Sequence, residues 1–170
     1  MRSFVRSLSV SLLVFQALAT LGSAETFELT TASIAEINAA FEAGTLTSEK
    51  LVELCLARIA AYDAKGPKLN AVIALHPGAL ATARALDEER RTSGPRSPLH
   101  GIPVVLKDNY DTFDLPTTAG SFMLQDSIPP DDAFVVQKLR DAGAIILAKL
   151  NMSEFASGAT MSSLIGPMLN

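Results

Sequence analysis

The chain is poor in the residues that usually carry metal and redox chemistry. Its 170 residues include one cysteine, Cys55, two histidines, His76 and His100, and no tryptophan. One thiol closes no internal disulfide, so the fold must rest on its core. Neither C-x-x-C nor H-E-x-x-H spacing occurs, which leaves a zinc site without support. Cys55 lies in the apolar run Leu51–Leu56 and reads as a small buried hydrophobe rather than a nucleophile. Positive charge is not in excess either. The formal net charge is -4, which argues against a nucleic-acid or anionic-membrane partner, since either needs a basic patch.

Apolar material is plentiful: 48% of residues are hydrophobic and 19% charged, a balance that builds a core rather than a disordered chain. The length suits one domain. The first 24 residues differ in kind. Arg2 and Arg6 precede an interrupted apolar stretch, Leu8–Leu21, and Gly22-Ser23-Ala24 follows it ahead of Glu25. Basic start, short apolar run and small-residue exit describe a secretory signal peptide over 1–24. The alternative, an uncleaved anchor, needs about 20 predominantly apolar residues, and Ser9, Ser11, Gln16 and Thr20 interrupt this run. A secreted protein (extracellular or periplasmic) with no stable membrane span after cleavage is the expectation.

Ser33-Ile34-Ala35-Glu36 has the spacing of a capping box, which starts a short helix reaching Ala43 before Gly44. Thr47 or Ser48 caps a longer helix with Leu51, Val52, Cys55, Leu56 and Ile59 at helical spacing, stopped by Lys65-Gly66-Pro67. Asn70–Leu75 reads as a buried strand, and Pro77 as the first residue of a helix carrying Ala79–Arg91. A loop over Thr92–Pro98 precedes a second strand, Ile102–Leu106. Asp108–Pro130 is irregular, and a loop of that length inside a domain is usually functional. Asp131 or Asp132 caps a helix to Ala142 with Phe134, Val135 and Leu139 inward. Ala144–Leu147 forms a third strand, and Asn151–Ala156 opens another helix. Helices alternating with short apolar strands define an α/β protein with helices packed on a sheet. The apolar string Leu164–Leu169 at the right-hand edge would expose apolar surface, and self-association through it is expected.

The most informative stretch is His100-Gly101-Ile102-Pro103-Val104-Val105-Leu106-Lys107-Asp108-Asn109. Lys107 ends an apolar strand. Held against a low-dielectric sheet edge it would lose hydration and become a usable base; taken alone, a lysine there more commonly snorkels to water.

Residues 101–109 resemble the core block of the amidase signature family. Pro116-Thr117-Thr118-Ala119-Gly120-Ser121, Asp132-Ala133 leading into Leu139–Ala144, and Ile146–Phe155 are similar to the same family in the same order. Gly166–Asn170 resembles the approach to its serine-rich signature. The resemblance implies an amidase-signature-like sheet with surrounding helices, incomplete at the C-terminus, with residues 25–170 the amino-terminal part of an amidase domain. It also implies a Ser–Ser–Lys relay, which uses no metal and no cofactor. A neutral lysine, Lys107 by its place in the block, takes a proton through a bridging serine from a nucleophilic serine, which attacks an amide carbonyl. Glycine-rich backbone N–H groups would stabilise the oxyanion. No Gly-Gly-Ser-Ser-Gly-Gly stretch follows Lys107, and Ser162-Ser163, flanked by Met161 and Leu164, lacks the glycines.

This leaves two readings. One is an amide hydrolase acting on a small-molecule or peptide amide, whose 170 residues carry only the lysine and are inactive alone. The other is a secreted non-catalytic interaction module derived from an amidase. Within either, Phe155 is a substrate-binding candidate, with a plain core aromatic as the alternative. His100 reads as a hydrogen-bonding loop histidine, Asp108 and Asn109 as turn formers beside Lys107, and Lys149 as structural.

Overall fold

The computed structural model describes residues 28–158 and 161–169. The expected signal segment, 1–24, lies outside the described residues.

Three strands make the central sheet: β1 (Val72–Leu75), β2 (Pro103–Lys107) and β3 (Ile145–Leu150), in the order β1-β3-β2. β3 is central, antiparallel to β1 and parallel to β2. Four helices, α1 (Ile34–Glu42), α2 (Ser48–Tyr62), α3 (Ala79–Ser93) and α4 (Phe134–Asp141), cover it. Ile145 and Leu147 of β3 pack with Val52 of α2 and with Ala79, Ala83 and Leu86 of α3. Ile146 points the other way and joins Leu106, Leu115 and Val136 of α4. A third cluster, Ile37, Phe41, Leu51 and Ile102, fastens α1 to α2 and to the entry of β2. Apolar contact on both faces is what a strand of continuous apolar sequence requires, and the α/β expectation is met.

The capping box is present: the Ser33 hydroxyl accepts from the Glu36 N–H, and the Glu36 carboxylate accepts from the Ser33 N–H. Thr47 caps α2 by accepting from the Lys50 N–H.

Five expectations are corrected. Pro77 does not open α3: the His76 ring nitrogen Nδ1 accepts from the Gly78 N–H at 2.9 Å, and the helix begins at Ala79. No aspartate caps α4, because the Asp132 carboxylate is taken by Arg140 Nε at 2.8 Å and the Phe113 N–H at 3.2 Å. The helix starts at Phe134 with Val136 buried, and Phe134 and Val135 face outward. β3 runs to Leu150 rather than Leu147. Beyond it, Asn151–Ala156 makes only a short 3-10 turn (Glu154–Ala156), since Phe155 has φ 50°, which no helix continues.

The register of β3 has a local irregularity that matters below. Val104 pairs with Ile146 and Val105 with Ala148, so Leu147 is an extra residue opposite β2. One extra residue exchanges the two faces beyond it. Lys149, which simple alternation would put with Ile145 and Leu147, instead pairs with Leu106 and lies on the face of Ile146.

Candidate active site

β2 and β3 are parallel, so their carboxyl ends lie at one edge of the sheet, where ligands of open α/β sheets bind. The loop after β2 and the turn after β3 meet there. Asp108 O accepts from the Ala119 N–H at 2.9 Å, and Ala119 O accepts from the Phe155 N–H at 2.9 Å. The structure therefore brings the two sequence-derived candidates, Lys107 and Phe155, to the same end of the sheet.

Lys107 is the last residue of β2 and its side chain is exposed. Its ammonium has no ion pair and no side-chain hydrogen bond among the described residues. The expectation of a lysine pressed against a low-dielectric edge is not met within these residues. Phe155 is 56% exposed, which does not make it a core aromatic here. Together with Ala156 (φ 56°) and Ala119 (φ 51°) it adopts left-handed backbone outside glycine, a conformation that persists only where surrounding bonds enforce it and that gathers at functional sites.

The side chains behind Lys107 are ordered by a buried charge pair that sequence reasoning missed. Asp108 follows Lys107 and points to the opposite face, as strand alternation requires. Its carboxylate oxygen Oδ1 lies 3.1 Å from Lys149 Nζ, with both side chains fully buried. This contact is electrostatic rather than a directed hydrogen bond. Asp108 Oδ2 accepts from the Thr118 N–H at 3.0 Å and from the Thr118 hydroxyl. Lys149 Nζ donates to Pro116 O at 3.0 Å and to the Thr117 hydroxyl at 2.9 Å. Burial pushes the Lys149 amine below its ordinary range, and the Asp108 carboxylate opposes that shift. The signal available beforehand was a lysine inside an apolar run, Ile145 to Leu150. It becomes conspicuous only when the strand is extended past Leu147.

The serines nearby are committed to holding loops together. Glu154 Oε1 accepts from the Ser121 hydroxyl at 2.6 Å and from the Ser163 hydroxyl at 2.9 Å. These two bonds hold its carboxyl below the ordinary range. Ser162 donates to Gly120 O at 2.7 Å. Ser162 belongs to a small hairpin of β4 (Met161–Ser162) and β5 (Gly166–Pro167), which these bonds fasten to the loop after β2. Gly120, at φ 70°, is required there, because an added Cβ would lie 2.6 Å from Met152 O. The apolar segment at 164–169 is partly tied down. Asn70 Nδ2 donates to Ile165 O and Pro167 O, while Met168 and Leu169 stay exposed.

His100 is fully buried at the far end of β2. Its Nδ1 accepts from the Arg96 N–H and its Nε2 bonds Leu86 O at 2.8 Å, which assigns the neutral Nε2–H tautomer. An apolar cavity of about 380 Å³ opens at that same far end, against Leu29, Ile37, Leu51, Cys55 and Ile102. No residue of the loops around Lys107 lines it. Cys55 is half-buried there, and burial raises its thiol while Arg58 opposes the rise.

The parallel strands β2 and β3, the serine-stapled loop and the turn at Phe155 thus gather at the edge of the sheet that carries Lys107. The Amidase family model matches residues 50–170, and the chain belongs to that family. It is 42% identical over 140 residues to a glutamyl-tRNA(Gln) amidotransferase subunit from Lawsonia intracellularis, a match covering 81% of this chain and 28% of the relative. The corresponding subunit from Streptomyces coelicolor is 45% identical over 138 residues, covering 80% and 27%. The crystal structure of a peptide amidase from Stenotrophomonas maltophilia superposes with a TM-score of 0.78 at 44% identity, covering 81% of this chain and 29% of that one. The chain thus spans under a third of the length of these relatives.

Proposed function

We propose that the protein is an amide hydrolase of the Ser–Ser–Lys type, acting on a carboxamide C–N bond with Lys107 as the base of the relay. The observation that supports this most is the position of Lys107. It stands at the carboxyl end of a parallel strand inside a family match that runs through residue 170, with a loop and a turn converging on the same edge. In the reaction, a serine hydroxyl adds to the amide carbonyl and its proton passes through a second serine to the Lys107 amine. The departing amine takes that proton as the acyl–enzyme forms, and water then releases the carboxylic acid. Phe155, exposed at this edge, supplies apolar contact for the substrate.

Residues 108–170 contain no Gly-Gly-Ser-Ser-Gly-Gly stretch, and the serines near Lys107 are occupied with loop contacts. In this reading these 170 residues carry the base of the relay without its serines and do not turn over amides alone. Incubating the purified chain with a peptide amide tests this: no ammonia above the blank is expected. Turnover blocked by a fluorophosphonate would contradict it.

Export is part of the proposal, on the strength of the charge and apolar order of residues 1–24. Amino-terminal sequencing of the protein recovered from its producing cell should begin at Glu25, and a retained Met1 would oppose it. Exposed apolar side chains at Phe122, Met123, Phe155, Met161, Met168 and Leu169 favour the second reading, an interaction module that self-associates through this surface. A monomer at high concentration in sedimentation would remove it.

A further inference from the structure

Lys107 and Asp108 are adjacent in sequence, yet the molecule keeps their charges apart. The strand sends Asp108 inward and Lys107 outward. The extra residue in β3 then brings Lys149 onto the Asp108 face, where its amine lies against a carboxylate that Thr118 also holds. Without the irregularity, Lys149 would enter the cluster under α2 and α3, and Asp108 would have no cation.

We propose that Lys149 is a charge-balancing and positioning residue for Lys107: it neutralises Asp108, so the strand end carrying Lys107 is pinned by a carboxylate that the Lys107 amine does not pair with. The pinning is concrete. Asp108 takes the Thr118 N–H and hydroxyl through its side chain, and its backbone bonds Leu150 O and the Ala119 N–H. Lys149 reaches across to Pro116 O and Thr117 in the same loop. The Asp108 carboxylate satisfies both Thr118 donors, but left uncompensated it would stabilise an ammonium on its neighbour. An ammonium is a poor proton acceptor and no nucleophile. The other acidic groups acting on Lys149, Asp111 and Asp114, do so only through space.

The inference rests on the reading of Lys107 as the base, but its test is independent of turnover. The wild-type chain and the variants Lys149→Met, Asp108→Asn and Lys149→Met/Asp108→Asn are acetylated at pH 8 with a small amine-reactive ester. Mass spectrometry gives the rate at Lys107 against the exposed Lys138 as internal standard. Lys149→Met should slow Lys107 by about threefold, the effect of one uncompensated charge at surface dielectric. The double variant should stay within about 1.5-fold of wild type, since it removes both members of a balanced pair, whereas Asp108→Asn, which leaves the Lys149 ammonium unopposed, should give a Lys107 rate equal to or above that of wild type. A folded Lys149→Met with an unchanged Lys107 rate overturns the proposal. So does a gain of about threefold or more in the double variant, because the carboxylate would then already have been acting on Lys107, and so does a slower Lys107 in Asp108→Asn. Should a single variant fail to fold, the double variant, in which the pair is absent as a unit, decides by the same criterion. Loss of the base role for Lys107 would show in hydrolysis assays and leave these rates untouched, so the two failures are distinguishable.

Discussion

Replacing Lys149 by methionine keeps most of the side-chain volume and removes only the ammonium. It leaves the Asp108 carboxylate, fully buried, with Thr118 but no counter-charge, and it leaves Pro116 O and the Thr117 hydroxyl without their donor. Breaking a buried pair from one side costs about 3–5 kcal/mol, mostly the penalty of the orphaned charge. That is a large share of the roughly 5–15 kcal/mol by which a domain is stable. With a urea slope of about 1–3 kcal/mol per molar, the midpoint falls by about 1–5 M. Far-UV circular dichroism at pH 7 during urea titration measures it. Lys149→Met/Asp108→Asn should recover at least about half of the loss, because removing a buried pair as a unit also removes its desolvation cost. A Lys149→Met midpoint within about 0.3 M of wild type refutes the reasoning, since an orphaned buried carboxylate cannot be that inexpensive.

Gly143→Ala should lower stability by at least about 1–3 kcal/mol in thermal denaturation, because φ there is 85° and the added Cβ would lie 2.8 Å from His100 Nδ1. Asp114 gives a pH signature. Burial alone would raise its carboxyl, but the bonds to His76 and Arg140 more than offset this and hold it below its ordinary 3.8. Between the two values the unfolded chain binds more protons, so this stability is present above the ordinary value and is lost as pH falls through the lowered one. Acid unfolding followed by circular dichroism should show that limb in wild type and a flatter one in Asp114→Asn.

Periodicity and capping made much of the scaffold legible. Ser33 and Glu36, Thr47, and the apolar runs before Lys107 and after Gly143 each act locally, and local signals survive tertiary packing. The errors arose where a side chain was recruited from a distance. Asp132 reads as a helix cap until Arg140, near the far end of α4, claims its carboxylate. Pro77 reads as a helix start until the His76 ring takes the Gly78 N–H. Lys149 was placed on no functional face because an extra residue in β3 shows itself only in pairing with β2. Lys107 and Phe155 were reached through family resemblance, and the meeting of their loops at one sheet edge could not be read from spacing.

The role of Lys107 as the base is tested most directly by a chimera. In the Stenotrophomonas maltophilia peptide amidase, the matching 29% of the chain is replaced by residues 28–170 of this protein, and kcat for a peptide amide is measured with and without Lys107→Ala. An active chimera is expected, and its Lys107→Ala form should lose at least about 1000-fold in kcat, as removal of one member of a relay does. A Lys107→Ala chimera within about tenfold of its parent would contradict the assignment of Lys107 as the base.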